Sequence, residues 1–588
     1  MHLVSNLSKG TKVLFRTRKF HNQYIRSCCK MDVDNSCEKF DTVKEGKAEI
    51  VIPKDQQGVF YNHVQEFNRD LTLATISEFS KGFLEKKNIH MAEFERKDPS
   101  VIHVNQTEDG SGETSDTDNE KMTNYVYQGE KCEEGITILE ALAASGLRSL
   151  RFAKELSGVK KIIANDISTP AYDVINKNIK HNKVEDLVEA RNADAVLLMH
   201  QNCDKDRGFN VIDIDPFGSA SVFLDAAVKS VLFGGILCVT CTDMAILAGK
   251  YPETCWMKYQ CTPAVTKAHG EQALRILLGA ISSAAARHSR YIEPLLSVSV
   301  DFYVRVFVRV HYGPAKTKLA SCKQIQMYRC SGCSSFYCQN IIGSSKPDAF
   351  HPGIGPPVGP ICEHCGHKHR VCGPFWGEPL HNLDFVKGII SLLQRFPNRF
   401  KTAERILSIL TMITEELPDV PFYYVNDELS KVLRVSAPSM KIVRSAILNA
   451  GYRVSSFHSS AASIKTDAPP LVIWDIMRKF VASLPQTRKK PLPDGTPAKA
   501  ILSKPITSPN IDLTERKDWE AQSKVKGMVR FPEMPPNWGP KARAKIIVDG
   551  TIKMDESLQE KSRRFQGKRK SQRNKNSSKV AKVDVVDT

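Results

Sequence analysis

Between residues 135 and 310 the chain repeats one unit, a short apolar run followed by a helical one, and this rhythm restricts the fold more than any other feature. Residues 136–139 read as a strand and 146–156 as a helix, and 160–166 with 171–181 form the next such pair. A third strand is expected at 188–191, a fourth at 210–214 followed by a helix over 221–233, and a fifth at 235–241. Strands alternating with helices build a parallel, doubly wound sheet, because each crossover helix must pack back onto a sheet face. A helix over 270–288 then precedes residues 295–310, whose alternating β-branched and aromatic side chains predict an antiparallel hairpin.

In an open α/β sheet, ligands bind beyond the carboxyl ends of the strands, so the strand ends carry the functional information. The first strand runs into Glu140-Ala-Leu-Ala-Ala-Ser-Gly146, where small residues let backbone approach a ligand at a helix N-terminus. Alanines stand where a stricter nucleotide loop has glycines. Asp166 ends the second strand, where an acid can take both ribose hydroxyls. Asp194 follows the third strand, within Asn192-Ala-Asp-Ala195, and is placed for the amino group of an adenine. Each acid alone reads as a cap, but three in order at three strand ends point to a nucleoside-bearing cofactor.

The fourth strand ends abruptly in Asp215-Pro216-Phe217-Gly218. An exocyclic amine is a poor nucleophile because its lone pair is delocalised into the ring. A carboxylate and the Pro216 carbonyl, each accepting an N–H, would localise that pair, and Phe217 could stack on the base for in-line attack. Asp213 lies on the same strand and reads as a satisfied buried acid. The tetrapeptide resembles the (Asp/Asn)-Pro-Pro-(Tyr/Phe) signature of amino-methyltransferases with one proline missing, and a closing antiparallel pair is the added feature of class I methyltransferases.

Taken with VFYNHVQEFNRDLT (59–72), LEALAASGLRSLRFAKEL (139–156), ANDIS (164–168) and DIDPFGS (213–219), the chain resembles the tRNA guanine-26 N2-dimethyltransferase family over roughly residues 50–480. The resemblance implies S-adenosylmethionine as methyl donor and tRNA as partner. It implies that Arg69 and Arg148 contact the cofactor, with Asp166, Asp194 and Ala195 on its ribose and adenine. Asp215 would be the catalytic acid, with Pro216 beside it, and Phe217 and Phe60 would hold the guanine. Asn-Pro is common after Phe-Tyr in that family, whereas this chain has Asn62-His63.

Cys330-x2-Cys333 and Cys362-x2-Cys365 form two thiolate knuckles separated by 28 residues, a spacing that suits a closed, structural Zn2+. Cys338, His364, His367, His369 and Cys372 are alternative ligands. Residues 427–435 and 440–450, broken at Ser436-Ala-Pro-Ser439, read as a helix-turn-helix with a following wing. Lys431, Arg434, Lys441, Arg444 and Arg453 on it are candidate phosphate contacts. The expected architecture is therefore α/β, a Rossmann-like methyltransferase domain (46–320) with an acidic, disordered insertion near 104–135. A zinc-knuckle segment (321–377), a smaller α+β winged-helix-like C-terminal domain (378–482) and a Pro/Lys-rich, largely disordered tail (483–588) follow.

A net charge of +18 and a pI near 9.1 favour a polyanionic partner. No apolar run approaches the roughly 20 residues of a membrane helix. Sixteen scattered cysteines fit a reducing compartment better than a disulfide scaffold. Residues 1–45 begin basic, with no acid before Asp32, as in a mitochondrial presequence. Residues 561–582 hold ten Lys/Arg and no acid, as in a nuclear import signal. Both compartments are expected; oligomeric state is left open, a monomer being sufficient. Two other functions remain: a related methyltransferase acting on another RNA or protein amine, and a non-catalytic RNA-binding zinc protein.

Overall fold

The computed structural model describes residues 40–53, 61–92, 125–204, 206–346, 349–485, 492–518 and 529–532, and two short strands, Ile546–Val548 and Thr551–Lys553. An antiparallel hairpin of β1 (Phe40–Glu45) and β2 (Ala48–Pro53) leads to a long helix, α1 (Glu66–Glu85). The α/β units follow as β3 (Lys131–Glu140), α2 (Leu147–Glu155), β4 (Val159–Asn165), α3 (Thr169–Asn182), β5 (Val188–Arg191) and α4 (Ala195–Gln201). They continue as β6 (Phe209–Ile214), α5 (Leu224–Ser230), β7 (Val231–Cys241), α6 (Pro252–Tyr259) and α7 (His269–Ala286). The unit closes with β8 (Arg290–Val300) and β9 (Tyr303–Tyr312).

These strands form one sheet in the order β8-β9-β7-β6-β3-β4-β5. All neighbours from β7 to β5 run parallel, and β9 pairs antiparallel with both β7 and β8. The order reverses between β3 and β6, which puts a crevice at their carboxyl ends. The central strands are buried on both faces. Along β3, Ile136 and Ile138 pack toward α1 and α2, while Leu139 packs toward α5 and α7. That alternation follows from the two-residue period of a strand.

The knuckle segment is a three-stranded sheet with β10 (Gln324–Cys330) between β11 (Phe336–Asn340) and β12 (His369–Trp376). Helices α8 (Leu383–Arg395) and α9 (Ala403–Glu415) pack on the face of α1. The helix-turn-helix is present as α10 (Asn426–Leu433) and α11 (Met440–Asn449), with Ser439 capping α11 through the Ile442 N–H. Its wing is β13 (Val454–Phe457) paired with β14 (Ser460–Thr466), and α12 (Pro470–Ser483) closes the unit. His381 and His458 clip this half to β8, their rings accepting the Ser297 and Ser299 N–H groups at 3.2 and 2.9 Å. The remaining His458 nitrogen then carries its proton toward Glu416 at 2.7 Å, and burial holds His381 well below the usual histidine range. His381 Nε2 is buried 4.0 Å from Glu416 and makes no hydrogen bond among the described residues.

Several boundaries differ from the sequence expectation. Phe40–Glu45 is a strand, so the presequence-like composition runs into folded chain; residues 1–39 lie outside the described residues, as do 561–582. Residues 125–126 and 131–135 belong to strands, and only 104–124 of the acidic insertion lie outside the described residues. The helix expected over 221–233 ends at Ser230, because strand β7 begins at Val231, which pairs with Phe209 of β6. Helix α1 was not foreseen. It buries polar Asn68, Asp70, Thr72 and Thr75 beside its apolar residues, which erases the periodicity that marks a helix. Part of the expected loose tail is ordered too. Helix α13 (Pro497–Leu502) packs on α10, and Phe531 reaches the core around α9.

Candidate active site

The loop from β3 to α2 is built to bring backbone close to a ligand. Ala144 and Gly146 take φ of 51° and 78°, and a Cβ on Gly146 would sit 3.4 Å from Ile175. Asp166 reaches back to this loop, its Oδ2 accepting the Ala144 N–H at 2.9 Å, while Oδ1 accepts from Ser168. Asp194 caps α4 by accepting the Leu197 N–H at 2.9 Å, and Ala195 beside it is buried. Buried Asn165 ties the strand ends together. Its amide donates to the Ala141 and Ala193 carbonyls at 3.0 Å and accepts the Ala193 N–H at 3.2 Å. Ile167 and Leu197, next to the two acids, stay exposed, so the rim offers apolar edges for a flat ring as well as carboxylates. These acceptors and surfaces fit an adenosyl group.

At the adjoining strand end the tetrapeptide projects outward. Phe217 is 98% exposed, and Gly218 has φ 101°. Gly218 is clamped twice by Thr242, its N–H donating to Thr242 Oγ1 and its carbonyl accepting the Thr242 N–H, both at 2.8 Å. Under the loop lies a buried ion network. Arg148 Nη1 donates to both Asp213 oxygens at 3.2 and 3.1 Å, and its Nη2 donates to Asp215 Oδ2. Arg305 donates to Asp213 and Thr240 from the other side. Asn68 adds a 3.4 Å bond to Asp215 Oδ2. Asp213 is therefore the satisfied buried acid expected of it, and Asp215 is the member of the network that reaches solvent, its side chain 22% exposed. Among the described residues nothing engages Asp215 Oδ1. Glu140 stands 3.6 Å from Arg148, and burial pushes its pKa up to about 8 despite that arginine.

Arg148 and Arg69, assigned to the cofactor by resemblance, are both taken up by protein carboxylates. Arg69 pairs with Glu45 and donates to the Asn62 carbonyl at 3.1 Å, fixing the chain before α1. Arg151 joins the same cluster through Glu45 at 2.8 Å, Asp70 at 2.7 Å and Glu155 at 2.8 Å. Burial would raise Glu45, but Arg69 and Arg151 outweigh it and hold the carboxyl below its ordinary range. Phe60 lies outside the described residues.

The four knuckle cysteines come together, with Sγ atoms 3.3 Å apart for Cys330–Cys365 and 3.6 Å for Cys333–Cys362. Tetrahedral Zn–S bonds of about 2.3 Å put sulfurs about 3.8 Å apart, so the cage fits a zinc ion. Cys338 and Cys372 flank Met327 on neighbouring strands, and neither they nor the nearby histidines belong to the cage. Cys333 Sγ lies 3.2 Å from Ser335 Oγ, which accepts from the Trp474 indole at 2.8 Å. On the winged unit, Arg453 is engaged by Asp419 and Asp467 at 2.6 and 2.7 Å. Arg444 donates to Ser456, while Lys431, Arg434 and Lys441 lie at the surface.

Sequence reading missed Asn68, Asn165, Thr242 and Arg305. Arg305 left a usable signal, a lone charge in the apolar run Tyr303-Val-Arg-Val-Phe307, and Thr242 stands just past the fifth strand. The two asparagines lie within the quoted motifs 59–72 and 164–168, but nothing local to either names its partner.

A sequence model described as N2,N2-dimethylguanosine tRNA methyltransferase matches residues 40–478. A Homo sapiens protein named tRNA (guanine(26)-N(2))-dimethyltransferase is 45% identical over 540 residues, covering 90% of this chain and 81% of its own. A Saccharomyces cerevisiae protein with the same name qualified as mitochondrial is 34% identical, covering 86% and 92%. Among solved structures, Trm1 from Pyrococcus horikoshii in complex with S-adenosyl-L-methionine superposes with a TM-score of 0.56 at 26% identity, covering 74% of this chain and 98% of that one.

Proposed function

The chain belongs to the N2,N2-dimethylguanosine tRNA methyltransferase family, and from that premise we propose that it transfers one or two methyl groups from S-adenosylmethionine to N2 of guanine 26 in tRNA. The observation that carries the reading is the state of Asp215. Arg148 and Asn68 hold one carboxylate oxygen, leaving the other for an amine proton at the mouth of the sheet. The Pro216 carbonyl takes the second N–H, and Phe217 stacks on the guanine, with Phe60 as its counterpart. Two accepted hydrogen bonds draw the nitrogen lone pair out of conjugation and aim it at the donor.

S-adenosylmethionine supplies an electrophilic methyl carbon when bound. Asp166 is assigned its ribose hydroxyls, and Asp194 with Ala195 its adenine. Arg69 and Arg148 serve it indirectly, by fixing the chain before α1 and the carboxylate of Asp215. The four cysteines hold a structural zinc remote from the chemistry. Delivery to both mitochondrion and nucleus is proposed, supported by the basic first segment, the name of the yeast relative and the basic run at 561–582. Among the described residues no helix is long and apolar enough to cross a membrane.

Labelled S-adenosylmethionine should methylate tRNA bearing guanine 26, and Asp215→Ala should abolish transfer; full activity in that variant would defeat the assignment. Nucleoside analysis of tRNA from cells lacking the protein should find dimethylguanosine lost. Its retention would favour a different amine substrate.

A further inference from the structure

The stretch just past β7 exposes apolar side chains beside the mouth of the sheet. Helix α6 buries Cys255 and Tyr259, one turn apart, and presents Trp256 and Met257 outward, 50% and 69% exposed. Tyr251, at its start, is also exposed, with the Lys250 ammonium 5.2 Å from its ring centroid. Single exposed apolar residues are ordinary, but Tyr251, Trp256 and Met257 are exposed together within one short segment, and large apolar side chains so grouped mark an interaction surface.

This group is held in register with the catalytic loop. The helix packs on the 221–223 turn that follows the tetrapeptide and carries exposed Val222. The buried Tyr259 hydroxyl bridges Ser219 at 2.7 Å and Asp243 at 2.9 Å, so one side chain joins α6 to both the β6 and β7 ends. Asp243 is in turn 3.3 Å from Lys258. Phe217 and the α6 ring thus stand on one braced rim.

We propose that Trp256, with Tyr251 and Met257, forms a stacking ledge for the tRNA nucleotides flanking the target guanine. The proposal rests on the functional reading above. A base drawn out of its stack leaves neighbours whose faces are newly exposed, and aromatic side chains compensate that loss without reading sequence. Phosphate gripping is a poor alternative for this helix, because its first turn carries Glu253. Stacking and phosphate contact differ in a measurable way, since only the latter releases counterions and steepens the dependence on salt.

The test uses the full-length protein and tRNA carrying a photoreactive uridine on either side of position 26. Trp256→Ala should raise KM for tRNA about tenfold, with the salt dependence of binding and the affinity for S-adenosylmethionine unchanged. Trp256→Phe should recover most of the loss, and the wild-type cross-link should map to α6. An unchanged KM with no cross-link at α6 would overturn the ledge. So would equal losses in both variants with a shallower salt slope, or dissociation of a homodimer by Trp256→Ala while tRNA binding persists. Failure of the wild type to methylate tRNA would sink the functional reading instead, and the cross-link would still decide the ledge.

Discussion

Helix α2 supplies one arginine to each of two buried ion networks, and the two differ in what they do. Arg151 sits among Glu45, Asp70 and Glu155, all close to fully buried. Arg148 sits among Asp213, Glu140 and Asp215, and only there does a carboxylate reach the surface. Chemistry and helix are shared; access is not. A closed network of this kind fixes a hairpin to a helix, whereas an opened one turns the same attraction into a positioned, half-free carboxylate.

The contrast can be broken at several points. Asp215→Ala should lower kcat by about 10³-fold or more, the scale of losing a group that acts on the reacting proton, while the melting temperature hardly moves. Arg151→Met should do the reverse. Stranding buried carboxylates costs about 3–5 kcal/mol, read by denaturant unfolding, with kcat per folded molecule within about twofold of wild type. If Arg151→Met instead crippled turnover in folded protein, the two networks would not be separable. Thr242→Val removes the hydroxyl that receives the Gly218 N–H, and a lost hydrogen bond of about 1 kcal/mol should cost about fivefold in kcat.

The last test is of pH dependence and concerns Glu140. Its folded pKa of about 8 lies above its ordinary 4.5, so the native state keeps a proton that the unfolded chain releases. That contribution to stability is full below about pH 4.5 and is lost as pH rises through about 8. Glu140→Gln, which cannot titrate, should flatten the fall in melting temperature between pH 5 and pH 8. An unchanged slope would place the titration elsewhere.

What was legible in the sequence follows from the same contrast. Asp166, Asp194 and Asp215 could be found because strand ends are visible as breaks in a periodic pattern, and residue type at a break is informative. The alternation of strands and helices, the closing hairpin and the four cysteines were legible for like reasons of period and spacing, whereas the order of the strands in the sheet was not. The partners of those acids were not. Arg148 lies in a motif that resemblance assigned to a cofactor, whereas its guanidinium stands among three acidic side chains brought together by folding. Helix α1 was invisible because burial on every side removes the polar face that sequence reading relies on. Contacts between distant segments, such as Asn68 with Asp215, leave no local trace at either residue.

The short chain of contacts from Cys333 through Ser335 to the indole of Trp474 gives the cysteine cage an optical readout. Zinc-bound thiolates and free thiols present different charge to that serine, and Trp474 is fully buried, where emission responds to nearby dipoles. Its fluorescence should therefore shift on chelation before the winged unit melts, and Trp474→Phe should silence the early change while leaving the later one.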